Sequence, residues 1–301
     1  MAEKDITEKN LEALNDVFAD IVNVLLFKGE QVINEKDLEV DTTKSMFKAD
    51  GKIHEQERDV SKFWKNGEIR ISILGIENQT AQDSDMPLRV ISYDGASYKQ
   101  QLLDKKQKKR YPVATLVLYF GTEEKWSKAK HLYDCFEVPE KLKPFVNDYK
   151  INVFNIAFLS PKTISMFKSD FKIIAEYFRA KRLNQKYKGS QEKLKHANET
   201  LKMFSALTGD NSFEKVYNEG NSKKGGITMC DVVKRIRDDG ITEGRIEGIL
   251  EGRIEGRTEE QERIIMNLIE SNAGTIEQIA AWVKLPVKEV QKIARKVPVN
   301  A

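Results

Sequence analysis

The chain has 301 residues, of which 40% are hydrophobic and 32% are charged, and its formal net charge is +3. This length allows two domains, or one domain with appendages, and the small net charge does not by itself indicate a nucleic-acid partner. The two cysteines, Cys135 and Cys230, lie too far apart for a disulfide framework or a zinc motif. The chain has no apolar run of about 18 residues and no apolar signal core near its start, so we expect a cytoplasmic protein without a membrane span.

The first 160 residues mix helical and strand patterns. Residues 10–28 carry apolar side chains at helical spacing, and Asn66-Gly67 separates two β-favouring runs, a strong hairpin signal. The predicted elements, in chain order, are a helix over 10–28, a polar loop with a short helix over 30–56, hairpin strands over 57–65 and 68–77, a loop over 78–88, a helix over 89–104, a basic loop over 105–110, and strands over 113–120 and 151–158. A strand, a long helix and another strand predict a crossover, and hence an α/β fold with a mixed sheet of four or five strands.

Helical patterns dominate after Ser160, and residues 240–259 repeat a four-residue unit with Gly first and Glu last. Each interior Gly costs about 1 kcal/mol relative to Ala, and Glu residues four apart repel one another, so this helix is weak alone. Two interpretations stay open. The Gly240–Glu259 helix pairs with a partner helix in a coiled coil, which allows a homo-oligomer, or it is a charged, solvated spacer.

The last thirty residues predict a small two-helix unit. Thr275 and Gln278 have the spacing of a capping box, and Leu285-Pro286 separates the two helical patterns. A helix-turn-helix that reads DNA and a plain αα-hairpin with solvated lysines both fit this pattern.

The second hairpin strand is the most informative segment for function. Its alternate residues from Ile69 to Ile73 are apolar, and the same face continues to Glu77 and Gln79. A carboxylate at the end of a core-facing row is costly to bury unless a partner such as a divalent cation neutralises it. Asp59, on the facing strand, is a second acid.

The length of the hairpin loop decides which face Asp59 occupies. A two-residue loop at Asn66-Gly67 places Asp59 opposite Leu74, facing away from Glu77. A three-residue loop that adds Glu68, with a left-handed Gly and a bulge, places Asp59 opposite Gly75, on the face of Glu77. A shared metal site therefore requires the odd loop or a bulge.

An acid followed by Glu-x-Lys on the next strand is the signature of PD-(D/E)XK nucleases, and this sequence has Glu77-Asn78-Gln79 at the second motif. The region 10–160 resembles the recombination-promoting nuclease (Rpn) family of that superfamily. The residues that carry the resemblance are Asn15-Asp16-Val17-Phe18, Asp59, Gly75 to Gln79, then Arg89, Tyr93, Tyr98 and Gln101 at the spacing of the family's helix, and Tyr111-Pro112-Val113.

The resemblance implies a restriction-endonuclease-like core and a metal-dependent DNA endonuclease that promotes recombination or transposition. It implies that Asp59, Glu77 and the backbone carbonyl of Asn78 bind Mg²⁺ or Mn²⁺. Gln79 stands where most of the superfamily has Lys; its amide orients water but is not a base. The implied division is a nuclease-like domain over 10–160, a helical extension over 161–235, the repeat helix over 236–262 and a two-helix unit over 263–298.

Further residues are assigned to the site or to DNA. Arg89 holds a phosphate or pairs with Glu77, and Tyr93 and Gln101 likewise support the metal ligands or contact a phosphate. Tyr93 and Tyr98 line the cleft, although tyrosines on a helix are more often packing residues. Glu57 is the alternative second acid, since in the odd register it lies opposite Glu77. The basic loop is either a phosphate contact or a solvated loop, and its members are Lys105, Lys106, Lys108, Lys109 and Arg110. Two other function classes remain: an inactive DNA-binding protein that keeps the fold, and a protein-interaction module.

Overall fold

The computed structural model describes residues 11–40, 44–49, 52–57, 60–76, 82–104, 109–220 and 226–295, and for residues 44–49, 52–57, 74–76 and 219–220 it gives the backbone alone. Its strands are β1 Leu38–Val40, β2 Lys44–Ala49, β3 Lys52–Glu57, β4 Val60–Trp64, β5 Ile69–Ile76, β6 Val113–Tyr119 and β7 Asn152–Asn155. Its helices are α1 Asn15–Phe27, α2 Met86–Leu103, α3 Pro161–Ile164, α4 Phe171–Arg182, α5 Ala197–Thr208, α6 Ser212–Gly220, α7 Met229–Glu270, α8 Ile276–Val283 and α9 Val287–Ala294.

Five strands form one mixed sheet in the order β1-β4-β5-β6-β7. β1, β4 and β5 are antiparallel neighbours, whereas β5, β6 and β7 run parallel. The parallel β5–β6 pair needs a crossover connection, and α2 supplies it. The structure therefore confirms the α/β fold with a mixed sheet and the antiparallel pairing of the two hairpin strands.

Residues 30–56 contain the predicted short helix, a 3-10 turn at Glu35–Asp37, but the loop predicted for the rest of the segment is wrong, because it contains β1 and most of a separate two-stranded sheet, β2–β3. Glu57 ends β3, where its backbone pairs with Lys44, so the first hairpin strand begins at Val60 and not at residue 57. The strands were missed because charged residues interrupt the apolar alternation on which strand prediction depends.

The sheet is covered on both faces. On one face Ile71, Ile73, Leu116 and Leu118 join the main core with α1, which contributes buried side chains such as Phe18. On the other face Val117 and Tyr119 pack beneath α2 in a smaller cluster with Met86, Val90, Tyr93, Trp126 and Ile151. Because both faces are buried, the central strands β5 and β6 are fixed in position and their ends are the places left for a site.

A buried polar contact fastens α2 to the sheet. Asp94 is 2% exposed, and its carboxylate accepts hydrogen bonds from the hydroxyl of Thr115 on β6, at 2.6 Å, and from the hydroxyl of Tyr149. A buried carboxylate is tolerated where such donors satisfy it.

The chain divides into two compact units, Met1–Ile236 and Arg237–Ala301. In the second unit α8 and α9 pack on the end of α7 around Ile265, Ile279 and Val290. The predicted capping box is confirmed, since Thr275 and Gln278 exchange side-chain to backbone hydrogen bonds. The repeat helix is confirmed as one continuous helix, but α7 extends beyond the predicted bounds at both ends.

None of the helices in the described part of the chain combines the length and the apolar composition that crossing a bilayer requires.

Candidate active site

The carboxyl ends of three parallel strands meet at one edge of the sheet. Ile76, the last residue of β5, pairs with Tyr119 of β6, which pairs with Asn155 of β7. In the sequence Glu77-Asn78-Gln79 follows Ile76 directly, so the second half of the motif begins where β5 ends. Asp59 and residues 77–79 lie outside the described residues, and their convergence on one cation stays a prediction.

The hairpin loop has neither of the two predicted lengths. Trp64 pairs with Ile69, which leaves the four residues 65–68 as the loop. The amide of Glu68 donates to the carbonyl of Lys65 at 3.2 Å, and Glu68 itself adopts the left-handed conformation, with φ of +47°. The expected left-handed residue was Gly67, but the extra loop residue moves that conformation to Glu68.

The four-residue loop produces the same strand register as a two-residue loop would, and so the same assignment of side chains to the two faces of the hairpin. Val60 pairs with Ile73, and both side chains belong to the main core on the α1 side. Ser61 and Ser72 face the opposite side, where their hydroxyls lie 3.1 Å apart and are buried. The described ladder therefore has the register in which a shared site for Asp59 and Glu77 requires a bulge.

Arg89, one turn into α2, is held by two neighbours. Its guanidinium donates to the carboxylate of Asp83 at 3.0 Å and is hydrogen-bonded to Tyr93. Partial burial acts to lower the pKa of Arg89, but the hydrogen bonds to Asp83 and Tyr93 outweigh it and raise that pKa. Half of the Arg89 side chain remains exposed, so a fixed positive charge with a free surface lies at the start of α2.

Tyr93 lies in the packed interface between α2 and the sheet. It is 7% exposed and belongs to the cluster with Val90 and Tyr119. The structure therefore brings Arg89 and Tyr93 together beside the end of β6, and it gives Tyr93 both a packing contact and a hydrogen bond to Arg89.

Gln82 is a residue that sequence reasoning missed. Its carbonyl oxygen accepts hydrogen bonds from the backbone amides of Ser127 and Lys128, and its amide donates to the Glu124 carboxylate at 2.9 Å. It also hydrogen-bonds Tyr119, whose pKa is raised mainly by burial. Gln82 thus fastens the segment before α2 to the loop after β6. A single glutamine in a polar stretch gives no signal of such a role.

Gln101 lies at the other end of α2. Its amide donates to the carbonyl of Tyr111 and accepts from the amide of the same residue, both at 3.0 Å. Tyr98 acts nearby, since its hydroxyl accepts from the amide of Val113, the first residue of β6. The structure does not bring Gln101 together with Arg89 and Tyr93; it places Gln101 where β6 begins.

The described part of the basic loop also lies at that end. Lys109 pairs with Glu68 of the hairpin loop, and Arg110 donates to the backbone carbonyl of Gln101. Lys105, Lys106 and Lys108 lie outside the described residues. Because β5 has eight residues, its two ends are about 23 Å apart. Lys109 and Ile76 therefore mark opposite ends of the strand.

Cysteine chemistry is disfavoured near this edge. The thiol of Cys135 lies 3.5 Å from the carbonyl of Ser84. Burial raises the pKa of that thiol, and the carboxylates of Asp85 and Asp134 raise it further. A thiol that stays protonated is a poor nucleophile and a poor metal ligand.

Comparison with known families agrees with the resemblance drawn from the motifs. Residues 64–207 match the family model described as "Putative transposase, YhgA-like", a segment that runs from the end of β4 to the end of α5 and includes Glu77, Gln79 and Arg89. No curated protein and no solved structure matched the chain. The family match confirms the resemblance and supports a role related to transposition or recombination.

Proposed function

We propose that this chain, with its YhgA-like transposase segment, is a metal-dependent DNA endonuclease that promotes recombination or transposition. The observation that carries the proposal is the position of Glu77-Asn78-Gln79. These residues follow the central strand β5 directly, within the segment that matches the transposase family. In mixed and parallel sheets, ligands bind beyond the carboxyl ends of the strands.

The proposed ligands suit a hard divalent cation. Mg²⁺ and Mn²⁺ prefer oxygen donors, and Mg²⁺ typically takes one or two protein carboxylates. Asp59, Glu77 and the carbonyl of Asn78 supply oxygen atoms only. Among the described residues no group of three or more His, Cys, Asp or Glu side chains could hold a metal. The assignment therefore rests on residues of the motif that lie outside the described ranges.

Phosphodiester cleavage needs an activated water and stabilisation of extra negative charge on phosphorus, and a divalent cation supplies both when bound. Gln79 contributes an amide that orients the water and adds no charge. Arg89 contributes a positive charge beside the same sheet edge, held in place by Asp83 and Tyr93. A guanidinium binds phosphate oxygens bidentately, which suits Arg89 to the substrate's backbone.

Lys109 pairs with Glu68, just before β5 begins, whereas Ile76 ends this strand, which is about 23 Å long. On this arrangement the basic loop contributes affinity without touching the scissile phosphate.

The direct test is a cleavage assay with supercoiled, nicked and single-stranded DNA over a titration of Mg²⁺ and of Mn²⁺. We expect metal-dependent nicking that Glu77→Ala abolishes. The matched control is Glu137→Ala, which removes an exposed carboxylate from the loop between β6 and β7. Activity that survives Glu77→Ala, or that Glu137→Ala also removes, would contradict the assignment.

The register of the hairpin favours one second candidate, a DNA-binding or protein-interaction protein of the same fold without catalysis. Because Val60 pairs with Ile73, Asp59 and Glu77 belong to different faces of the hairpin unless a bulge intervenes. Binding of DNA that weakens steeply with salt, together with no nicking at any metal concentration, identifies the DNA-binding form.

A further inference from the structure

The middle of α7 is exposed along its whole length. Every residue from 237 to 260 is exposed, and over this segment the helix is about 36 Å long. Its five repeat glycines, from Gly240 to Gly256, have open space where a Cβ would lie. Helices in proteins draw most of their stability from packing against a partner, and a glycine-rich helix needs that packing more than most.

The four-residue repeat arranges this segment in four rows. The rows begin at Gly240, Ile241, Thr242 and Glu243, and successive residues are 100° apart around the helix. The Thr242 row therefore has the Ile241 row on one side and the Glu row on the other. The Gly row lies on the opposite face of the helix. The row of Thr242 is the apolar one. Its three central members, Ile246, Leu250 and Ile254, are 53%, 52% and 67% exposed.

The charges on either side of the apolar row have no partner within the helix. One flank carries Arg245, Arg253 and Arg257, together with the exposed Ile241 and Ile249. The other flank carries the five glutamates Glu243, Glu247, Glu251, Glu255 and Glu259. The spacing puts Glu four residues from Glu, and no Arg three or four residues from a Glu, within residues 240–259. In the described structure this stretch contains no ion pair.

We propose that a second copy of this chain packs in parallel against the apolar centre of this row, formed by Ile246, Leu250 and Ile254. The apolar members bury one another across the two-fold axis, and each flank meets the opposite flank of the partner. The basic flank of one copy then faces the acidic flank of the other, on both sides of the seam.

The charge pattern selects both the partner and its direction. In a parallel pair of identical helices each left flank faces a right flank, so arginines meet glutamates. In an antiparallel pair like flanks face each other, and the five glutamates of one copy meet the five of the other. A two-fold interface is self-complementary by construction, and parallel pairing is the direction in which these rows are complementary.

The row also has a definite twist. Four residues advance the helix by about 400°, so the apolar row drifts by about 40° per repeat. From Ile246 to Ile254 the drift is about 80°, which two helices accommodate by winding around each other in a right-handed sense. The seam is therefore short, and Leu250 is its centre.

The first experiment measures association of the full chain by sedimentation velocity over a concentration series. We expect a reversible dimer that Leu250→Gln weakens by about 100-fold, because two buried leucine side chains are lost. Gly248→Gln introduces the same side chain on the far side of the helix and should leave the dimer intact. A monomer at all concentrations, or a dimer that Gly248→Gln weakens more than Leu250→Gln does, overturns the proposal.

The second experiment tests the direction in a chain that carries Cys135→Ser and Cys230→Ser. With Ile246→Cys added, one repeat from Leu250, a parallel dimer brings the two new thiols side by side and they form a disulfide on oxidation. An antiparallel dimer centred on Leu250 holds them about 12 Å apart along the helix axis, beyond the reach of a disulfide. Cross-linking of Ile246→Cys with itself supports the proposal. Cross-linking only in a mixture of Ile246→Cys and Ile254→Cys chains, or in neither sample, overturns it.

Discussion

Val60 lies directly opposite Ile73 in the ladder between β4 and β5, and this one pair defines the parity of the hairpin. Side chains alternate between the two faces of a sheet, so the residue before Val60 and the residue four after Ile73 belong to different faces if the ladder continues unchanged. Asp59 and Glu77 are those residues. A cation shared by the two carboxylates therefore requires one extra residue, a β-bulge, beyond this pair.

The metal site predicts a stability effect that does not depend on cleavage. Mg²⁺ or Mn²⁺ at about 100 times its dissociation constant should raise the free energy of unfolding by about 3 kcal/mol, because it binds the folded site and not the open chain. Asp59→Asn and Glu77→Gln should each abolish this increase. Thermal unfolding with and without metal measures it, and Glu137→Gln is the control that should respond as the unaltered protein does.

Without metal, the same variants should be as stable as the unaltered protein or more stable, since each removes one of two like charges. An unchanged metal response in Asp59→Asn together with a lost response in Glu77→Gln identifies a site that does not include Asp59.

The hairpin loop stores backbone strain at Glu68. This residue has a φ of +47°, a conformation that costs a non-glycine residue about 1 kcal/mol. Glu68→Gly should therefore raise the free energy of unfolding relative to Glu68→Ala by about 1 kcal/mol, since both variants lose the exposed pairing with Lys109. Urea unfolding of the two variants measures the difference, and equal stabilities would show that the loop is not strained at this position.

Features of the fold that depend on a local sequence pattern could be predicted, whereas those that depend on tertiary contacts could not. Val113 to Phe120 is apolar apart from Thr115, the pattern of a buried strand, and both faces of β6 are indeed covered. The loop length could not be read, because Asn66-Gly67 favours short loops, and only the pairing of Trp64 with Ile69 shows that four residues form it. The role of Gln101 could not be predicted for the same reason. Gln101 has the spacing of the family's helix motif, but its amide hydrogen-bonds the backbone of Tyr111, and this contact depends on the tertiary fold.

The buried contact of Asp94 should be important for stability. Asp94→Ala leaves the hydroxyls of Thr115 and Tyr149 without their acceptor and should lower the free energy of unfolding by about 3 kcal/mol. Thr115→Val removes one donor and keeps the shape, so we expect a smaller loss of about 1 kcal/mol. Chemical denaturation measures both. A loss from Asp94→Ala no larger than that from Thr115→Val would contradict this account.

Lys62 should make stability depend on pH in the alkaline range. The residue is 3% exposed and its ammonium donates to the carbonyl of Ala13 at 2.7 Å. Burial lowers the pKa of Lys62 below its ordinary value of 10.5. Between the lowered pKa and 10.5 the unfolded chain binds more protons than the folded chain, so the free energy of unfolding rises with pH in that window.

Replacing Lys62 should remove the increase in the free energy of unfolding with pH. Lys62→Met should raise the free energy of unfolding by about 1 kcal/mol at pH 7, because a buried charge is exchanged for an apolar side chain of similar length, and this advantage should shrink towards pH 10.5. Urea unfolding at pH 7, 9 and 10.5 measures it. Lys65→Met, at an exposed lysine on the same hairpin, is the control and should show no such dependence. A constant difference between Lys62→Met and the unaltered protein would contradict the assigned charge.

Variants of Lys109 and Arg110 should distinguish a residue that only contacts a DNA phosphate from one that also stabilises the fold. Lys109 is 76% exposed at its side chain, whereas the guanidinium of Arg110 donates to the carbonyl of Gln101. If Lys109 contacts one phosphate, Lys109→Gln should reduce the slope of log affinity against log salt by about 0.9 and leave the free energy of unfolding within about 0.5 kcal/mol of the unaltered protein. Arg110→Gln should reduce the slope and also destabilise the junction with α2.

Fluorescence anisotropy with duplex DNA at several salt concentrations measures the slopes. The control is Lys141→Gln, which replaces an exposed lysine in the loop between β6 and β7. Equal slopes for Lys109→Gln and Lys141→Gln would remove Lys109 from the DNA surface and leave the bound strand at the Ile76 end of β5.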